Sequence, residues 1–406
     1  MKKKISASHR LESRPRSGGS GALGRAVFCL CFVLAAGMPA QQRETAGARD
    51  SAKPTFTTFD APGAGTAAGQ GTTPTGINAA GVIAGTYNGA APSPLNVYGF
   101  VRATDGAITD FVARGGNDTI GTYASALNAA GALTGYYLNY VYPEEGSPVL
   151  LAFGLVLETD GTLTAFSAPG AGTGPSAPAQ GTYSLSINTE GDLAGYYIDA
   201  NIAAHGFVRS AGGAFTSFDA PGAGTAKPQG TFPQSISAAG AVAGYYVDSR
   251  DVFHGFVRAA DGTITTFDAP GAGTGDLEGT LAWSINAAGT IAGYYVDASL
   301  AHHGFVRTAS GAITTFDAPG AGAGDGQGTF AVSVNTAGTI TGYCIGAKNG
   351  SHGFVRALSG AITTFKAPGA GENAGQGTFA ASINNAGAIA GYFVDASGAA
   401  HGFLLQ

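Results

Sequence analysis

The chain has 406 residues, of which 67 are glycine, 44% are apolar and only 11% are charged, with a net charge of −6. That balance excludes a collagen and a charged disordered chain, and it suits many short strands joined by tight turns. The acidic sign also argues against a nucleic-acid partner, because a negative surface repels phosphate backbones.

The first forty residues stand apart. Lys2, Lys3, Lys4, Arg10, Arg14, Arg16 and Arg25 precede an apolar run from Ala26 to Met38, followed by Pro39-Ala40-Gln41. This is the pattern of a secretory signal peptide over residues 1–40, with an uncleaved N-terminal anchor as the alternative. The run is short for a membrane span, so no span is expected in the mature chain. Seven of the 20 basic residues and one of the 26 acidic ones lie in this segment, which leaves 13 − 25, or −12, on the remainder. Cys29 and Cys31 leave with it. Cys344 alone cannot form an internal disulfide, so the fold must be held by packing.

A linker over 41–54 leads into the repeat region, 55–406. The glycine of a recurring Gly-Tyr-Tyr falls at 85, 135, 195, 244, 293, 342 and 391, with the last four intervals all 49 residues. A phenylalanine of Thr-Thr-Phe-Asp-Ala-Pro-Gly recurs at 59, 111, 166, 218, 267, 316 and 365. Each unit reads as four strands, A to D: Thr280–Asn286, Thr290–Asp297, His303–Arg307 and Ala312–Phe316 in the fifth. They are β-rich and bounded by Gly, Asn or Asp. Asp-Gly turns at 105–106, 160–161 and 261–262 mark C–D hairpins. Such a unit cannot bury both faces alone. The expected architecture is therefore an all-β, seven-bladed propeller of four-stranded antiparallel blades. An orphan first strand (Phe56–Asp60) would complete the last blade and close the ring, removing the exposed edges. The long D–A loops and the B–C loops then share one face, where loops on a rigid scaffold carry function.

The consensus Thr-Phe-Asp-x-Pro-Gly-Ala…Ile-Asn-x-x-Gly-x-Ile-x-Gly-Tyr…His-Gly-Phe resembles the HAF-repeat proteins, a bacterial family of extracellular repeats, over about residues 55–406. Here His-Gly-Phe stands in place of His-Ala-Phe. The resemblance implies export and a repeat array, and it brings no assigned activity.

Histidines recur at 205, 254, 303, 352 and 401. In a seven-fold array they would lie about 15 Å apart, whereas ligands of one zinc ion each sit within about 2.1 Å of it. No shared metal site is expected. Asp199, Asp248, Asp297 and Asp395 each precede a histidine by six residues, and the pairs Asp199–His205, Asp248–His254, Asp297–His303 and Asp395–His401 read as structural hydrogen bonds fixing the B–C loop. Units one and two lack both members (Asn88 with Tyr98, Asn139 with Ala152), and unit six has His352 with Gly346. No cofactor motif is found: the glycine-rich loops lack the phosphate-cradling lysine, and GxSxG, HExxH, CxxC and calcium-loop patterns are missing. The tyrosine pairs read as inter-unit packing.

One irregularity is singular. Unit two inserts Asn139 to Pro148 between strands B and C, and Tyr140, Tyr142, Glu144 and Glu145 become candidate ligand contacts, rigid amphipathic anchors beside orienting carboxylates. Because polar groups repeat by unit and do not converge, the sequence favours a non-enzymatic, secreted binding module for an extracellular polymer or protein. The alternative is an extracellular lyase or glycan hydrolase with its site at the top of the channel.

Overall fold

The computed structural model describes residues 54–406 apart from 91–96, 114–118, 144–145 and 177–178. The expected signal peptide and nearly all of the linker lie outside the described residues. Among those described the chain is all strand and turn: 28 strands, four to each of seven units. Unit four is representative, with A Gly230–Ile236, B Val242–Val247, C Phe253–Arg258 and D Ile264–Phe267. A–B, B–C and C–D pair antiparallel. Unit seven takes its D strand from the start of the body, Phe56–Phe59, which pairs antiparallel with Ala400–Leu405.

The units are not separate blades, and the expectation of a seven-bladed propeller is overturned. At every junction strand C of one unit pairs in parallel with strand A of the next, from Val97 with Gly121 through Phe253 with Gly279 to Ala400 with Gly71. The hydrogen-bonded circuit therefore runs A–B–C seven times. It is a closed, mixed barrel of 21 strands, with the seven D strands attached outside it through C alone.

The cause lies in the residue that opens strand A. Gly71, Gly181, Gly230, Gly279, Gly328 and Gly377 have φ between 117° and 127°, and a Cβ there would overlap the carbonyl oxygen of the preceding unit's C strand. Only glycine allows that approach. The first C-strand N–H then donates to the carbonyl just before the glycine, as in Phe253 to Glu278 at 2.8 Å and Ala400 to Gln70 at 2.9 Å. A glycine-rich stretch that reads as loop filler thus carries a strand junction.

Further contacts repeat from unit to unit. The A-strand serines accept the backbone N–H of the next A strand (Ser235 from Ile285, 3.3 Å), and Ser382 does so from Ile77 at 3.3 Å. In the A–B turns each asparagine accepts backbone N–H groups with Oδ1 and donates Nδ2 to the next unit's turn carbonyl, as in Asn286 to Asn335 at 2.8 Å. Asn384 to Asn78, 3.0 Å, closes this series across the chain ends. Arg102, Arg258, Arg307 and Arg356, at the ends of C strands, lie 4.7–5.0 Å over the ring of a D-strand phenylalanine from the preceding unit.

The core sits between units. Phe100, Phe207, Phe256, Phe305, Phe354 and Phe403 are fully buried, and each is worth roughly 1.5–3 kcal/mol of transfer free energy. Around Phe256, for example, Ile236, Val242 and Tyr246 of unit four meet Ala194, Val208 and Phe218 of unit three. Strands A and B bury both faces, whereas the four-residue D strands expose their two central residues, except in unit six, where only Thr363 is exposed. Short outer strands are a common way to blunt an edge. No helix among the described residues is long and apolar enough to cross a membrane.

Candidate functional site on the loop face

The loop face is built from the D–A loops and the B–C turns. Each D–A loop starts at an alanine whose N–H donates to the threonine after the junction glycine, seven times over at 2.8–3.0 Å (Ala61 to Thr72, Ala220 to Thr231, Ala269 to Thr280 and equivalents). The residue before that glycine caps the same loop and reaches the neighbouring B–C turn. Gln229 accepts from Ala226 at 3.2 Å and donates to Asp251 at 2.9 Å. Loop and turn are thereby tied into one surface.

The recurring histidines are held between two carboxylates. His205 Nδ1 lies 3.0 Å from both oxygens of Asp219, while Nε2 is 3.6 Å from Asp199. In the other clusters the D-strand partner is again the nearer: His254 with Asp268 at 2.9 Å against Asp248 at 3.6 Å, and His303 with Asp317 at 2.9 Å against Asp297 at 3.3 Å. His401 meets Asp60 at 3.0 Å and Asp395 at 3.5 Å. The imidazoles stack on Tyr197, Tyr246, Tyr295 and Phe393 with centroids 4.9–5.1 Å apart.

The expected B–C partner is therefore the more distant one. Its principal work is an Asx turn: Asp199 Oδ1 accepts from Asn201 and Ala203, both at 2.9 Å, and the other three turns repeat it. Burial pushes the Asp199 pKa up, but these N–H donors and the His205 charge outweigh it and the net shift is down. The Asp219 hydrogen bond raises the His205 pKa against the opposing effect of burial.

Asp60, Asp219, Asp268 and Asp317 were legible in the sequence as the aspartate of Thr-Phe-Asp-Ala-Pro or its Ser-Phe-Asp-Ala-Pro variant. That residue is Val112, Ser167 or Lys366 in the three units without the cluster. Unit six confirms the association within one chain: His352 has neither carboxylate and is exposed, and Lys366 pairs instead with Glu372 at 2.7 Å. In unit two the register sets Phe153, not Ala152, at the histidine position, opposite Tyr137. Cys344 takes the tyrosine position of unit six, where burial pushes its thiol up to about 11. No group of three His, Cys, Asp or Glu residues among those described is arranged to hold a metal ion.

The insertion of unit two is not a loose loop. Strands B and C lengthen to nine residues each, Leu133–Val141 and Val149–Leu157, and pair in register through Tyr140 with Leu150 and Val141 with Val149. Buried Asn139 anchors the hairpin by accepting from Thr119 at 3.1 Å. Tyr140 is half-buried, whereas Tyr142 is 60% exposed. Glu144 and Glu145 lie outside the described residues.

At the opposite end, between the A–B turns of units three and four, lies an open cleft of about 400 Å³ lined by Glu190, Asp192, Val208, Ile236 and Arg258.

No family model matches the chain, and no curated protein matches it. Among solved structures it is similar to puromycin hydrolase, at 14% identity over 82% of this chain and 50% of that one, with a TM-score of 0.43. It is also similar to AofleA from Arthrobotrys oligospora, at 14% identity over 77% of this chain and 90% of that one, with a TM-score of 0.39. The chain spans half the length of puromycin hydrolase. At these identities and scores, neither protein's activity carries over.

Proposed function

We propose that this is a secreted, non-enzymatic binding module that engages an extracellular polymer or protein through its loop face. The observation that carries the reading is the unit-two hairpin. Five of the other B–C connections, in units three to seven, are tight turns folded onto the loop face. This one extends each strand by about three residues, roughly 10 Å at 3.3 Å per residue. It holds Val141, Tyr142 and Pro143 exposed at its end. A paired hairpin presents such groups with little ordering cost on binding, and tyrosine is favoured at contact anchors for its rigid amphipathic ring. The histidine–carboxylate clusters recur in the same form in four units, which suits a repeated framework and not a single reacting centre. The apolar run after the basic N-terminal segment and the resemblance to HAF repeats support export.

The test is a segment exchange. Residues 139–151 are replaced by the five-residue turn of unit seven, 395–399, which joins equivalent positions of strands B and C. Parent and variant are screened against glycans, peptidoglycan fragments and ester substrates, for binding and for turnover. Binding lost with an unchanged melting profile is the expected result. Sustained turnover that survives the exchange would replace this reading with an enzymatic one.

A further inference from the structure

A belt of aromatic rings circles the barrel one layer beneath the loop face, and it is broken in one place. The belt positions of each unit are the second residue after the junction glycine of strand A and, directly opposite it, the first tyrosine of the Gly-Tyr-Tyr segment or its equivalent. Tyr123 pairs with Tyr136, Tyr183 with Tyr196, Phe232 with Tyr245, Phe330 with Tyr343 and Phe379 with Tyr392. In unit five Leu281 faces Tyr294, and Trp283 supplies the ring. Paired rings are joined to those of the next unit, Tyr136 to Tyr183 at 4.9 Å, Tyr196 to Phe232 at 5.1 Å and Tyr343 to Phe379 at 5.1 Å. Twelve rings thus run without interruption from unit two to unit seven.

Unit one breaks the series. Its two belt positions are Thr73 and Thr86, paired with each other. By the relation that sets Tyr196 against Phe232, Thr73 faces Tyr392 and Thr86 faces Tyr123. Rings in the middle of the belt (Tyr196, Phe232, Tyr245, Trp283, Tyr294) are buried, while Tyr123, Tyr136, Phe379 and Tyr392, on either side of the gap, are only half-buried. Thr86 is 8% exposed, and neither threonine hydroxyl bonds to another protein group among the described residues. By contrast, Thr75 on the same strand spends its hydroxyl on the carbonyls of Ala84 and Ala124. Neither hydroxyl is enclosed, so each is open to solvent and can exchange a water for a ligand hydroxyl.

We propose that the gap at unit one is a subsite for one pyranose ring of a neutral glycan. Threonine at both positions removes side-chain volume on the scale of a six-membered ring relative to the other units. In that subsite a flanking tyrosine ring would pack on the C–H face of the sugar, and the threonine hydroxyls would meet its hydroxyl rim. Neither belt position carries a charge, which suits a neutral ligand. The inference rests on the binding reading above in naming a ligand for it, but it stands on different residues from the hairpin, so the two can fail separately.

The experiment titrates the full chain with methyl glycosides of glucose, galactose, mannose and N-acetylglucosamine, and with their β- and α-linked tetrasaccharides, by calorimetry. Thr86→Tyr restores the ring found in the other six units, and Thr86→Val removes only the hydroxyl at constant shape. At least one saccharide should bind. Thr86→Tyr should weaken that binding tenfold or more, Thr86→Val several-fold, and the 139–151 exchange should leave monosaccharide affinity unchanged. Absence of saccharide binding across the panel, or binding indifferent to both threonine variants, overturns the proposal. If Thr86→Tyr fails to fold, Thr86→Val decides.

Discussion

His302 stacks on Phe330 with ring centroids 4.4 Å apart, and it bonds through Nδ1 to the carbonyl of Gln327 at 3.3 Å. Its neighbour in sequence, His303, points to the other face of the strand and lies between Asp297 and Asp317. Two consecutive histidines thus occupy different surroundings. Burial drives the His302 pKa down from 6.5 to about 4. Above pH 6.5 the folded and unfolded states are both neutral at this site. Below it the unfolded chain takes up a proton that the folded one refuses, so stability falls progressively between pH 6.5 and 4, by at most about 3 kcal/mol. His302→Phe, copying Phe253 at the same position of unit four, should unfold in urea like the parent at pH 7.5 and be more stable by about 2 kcal/mol at pH 4.5. An equal acid sensitivity of the two proteins would refute the assignment.

His205 should respond in the opposite sense. Its folded pKa is raised, chiefly by the Asp219 hydrogen bond. Its contribution is therefore complete below the unfolded value of about 6.5 and is lost as pH rises through the folded value. The Asp199 pKa is lowered, so its contribution is present above about 3.8 and is lost as pH falls through the folded value. The B–C turn of unit three should accordingly be most firmly held between about pH 4 and 6.5. In an NMR titration, Asp219→Asn should lower the His205 pKa, and Asp199→Asn should lower it by less. The reverse order would mean that the more distant carboxylate controls the ring.

The closure of the barrel at unit seven offers a direct measurement. Asn384 accepts from Ala386 at 3.0 Å and Ala388 at 2.9 Å while donating to Asn78 in unit one at 3.0 Å. Ser237 in unit four keeps the turn acceptor role toward Ala241 at 3.1 Å. Asn384→Ala should cost about 2–3 kcal/mol and Asn384→Ser about 1 kcal/mol, because serine retains the turn and loses only the bond between units. Equal losses from both would remove the inter-unit bond as the source.

What was legible in the sequence was periodic. The seven units, their four strands and the grouping of D–A with B–C connections follow from the spacing of Gly-Tyr-Tyr and Thr-Thr-Phe, since a strand needs only alternation and a bounding turn to be recognised. How the units join was not legible. Gly279 looks like any loop glycine until the carbonyl of Phe253 is placed against it, and that is a contact between residues 26 positions apart in neighbouring units. For the same reason His205 was matched to Asp199, close in sequence, before Asp219, which the C–D hairpin brings nearer. The break at Thr73 and Thr86 was present in the sequence as two missing aromatics. It acquired meaning only once strand pairing set the twelve rings in contact.

The mixed barrel makes a demand that separate blades would not, and it can be tested at Gly279. That residue has φ of +120°, and a Cβ on it would overlap the carbonyl of Phe253. Alanine there must either break the parallel pairing between units four and five or displace strand C of unit four. Gly320, in the D–A loop after unit five, has φ of +87° with nothing within 4 Å of an added Cβ. Alanine at Gly320 meets only the conformational penalty of a left-handed region, about 1 kcal/mol. At Gly279 the same penalty is joined by steric overlap and a lost strand hydrogen bond, and the sum should exceed about 3 kcal/mol. Urea unfolding of the two variants separates the contributions, since both remove one glycine and add one methyl group. Hydrogen exchange locates the damage: the Phe253 amide, which donates across the junction to Glu278 at 2.8 Å, should lose protection in Gly279→Ala and keep it in Gly320→Ala. Equal destabilisation by the two substitutions, with the Phe253 amide protected in both, would show that the C–A pairing does not hold the units together.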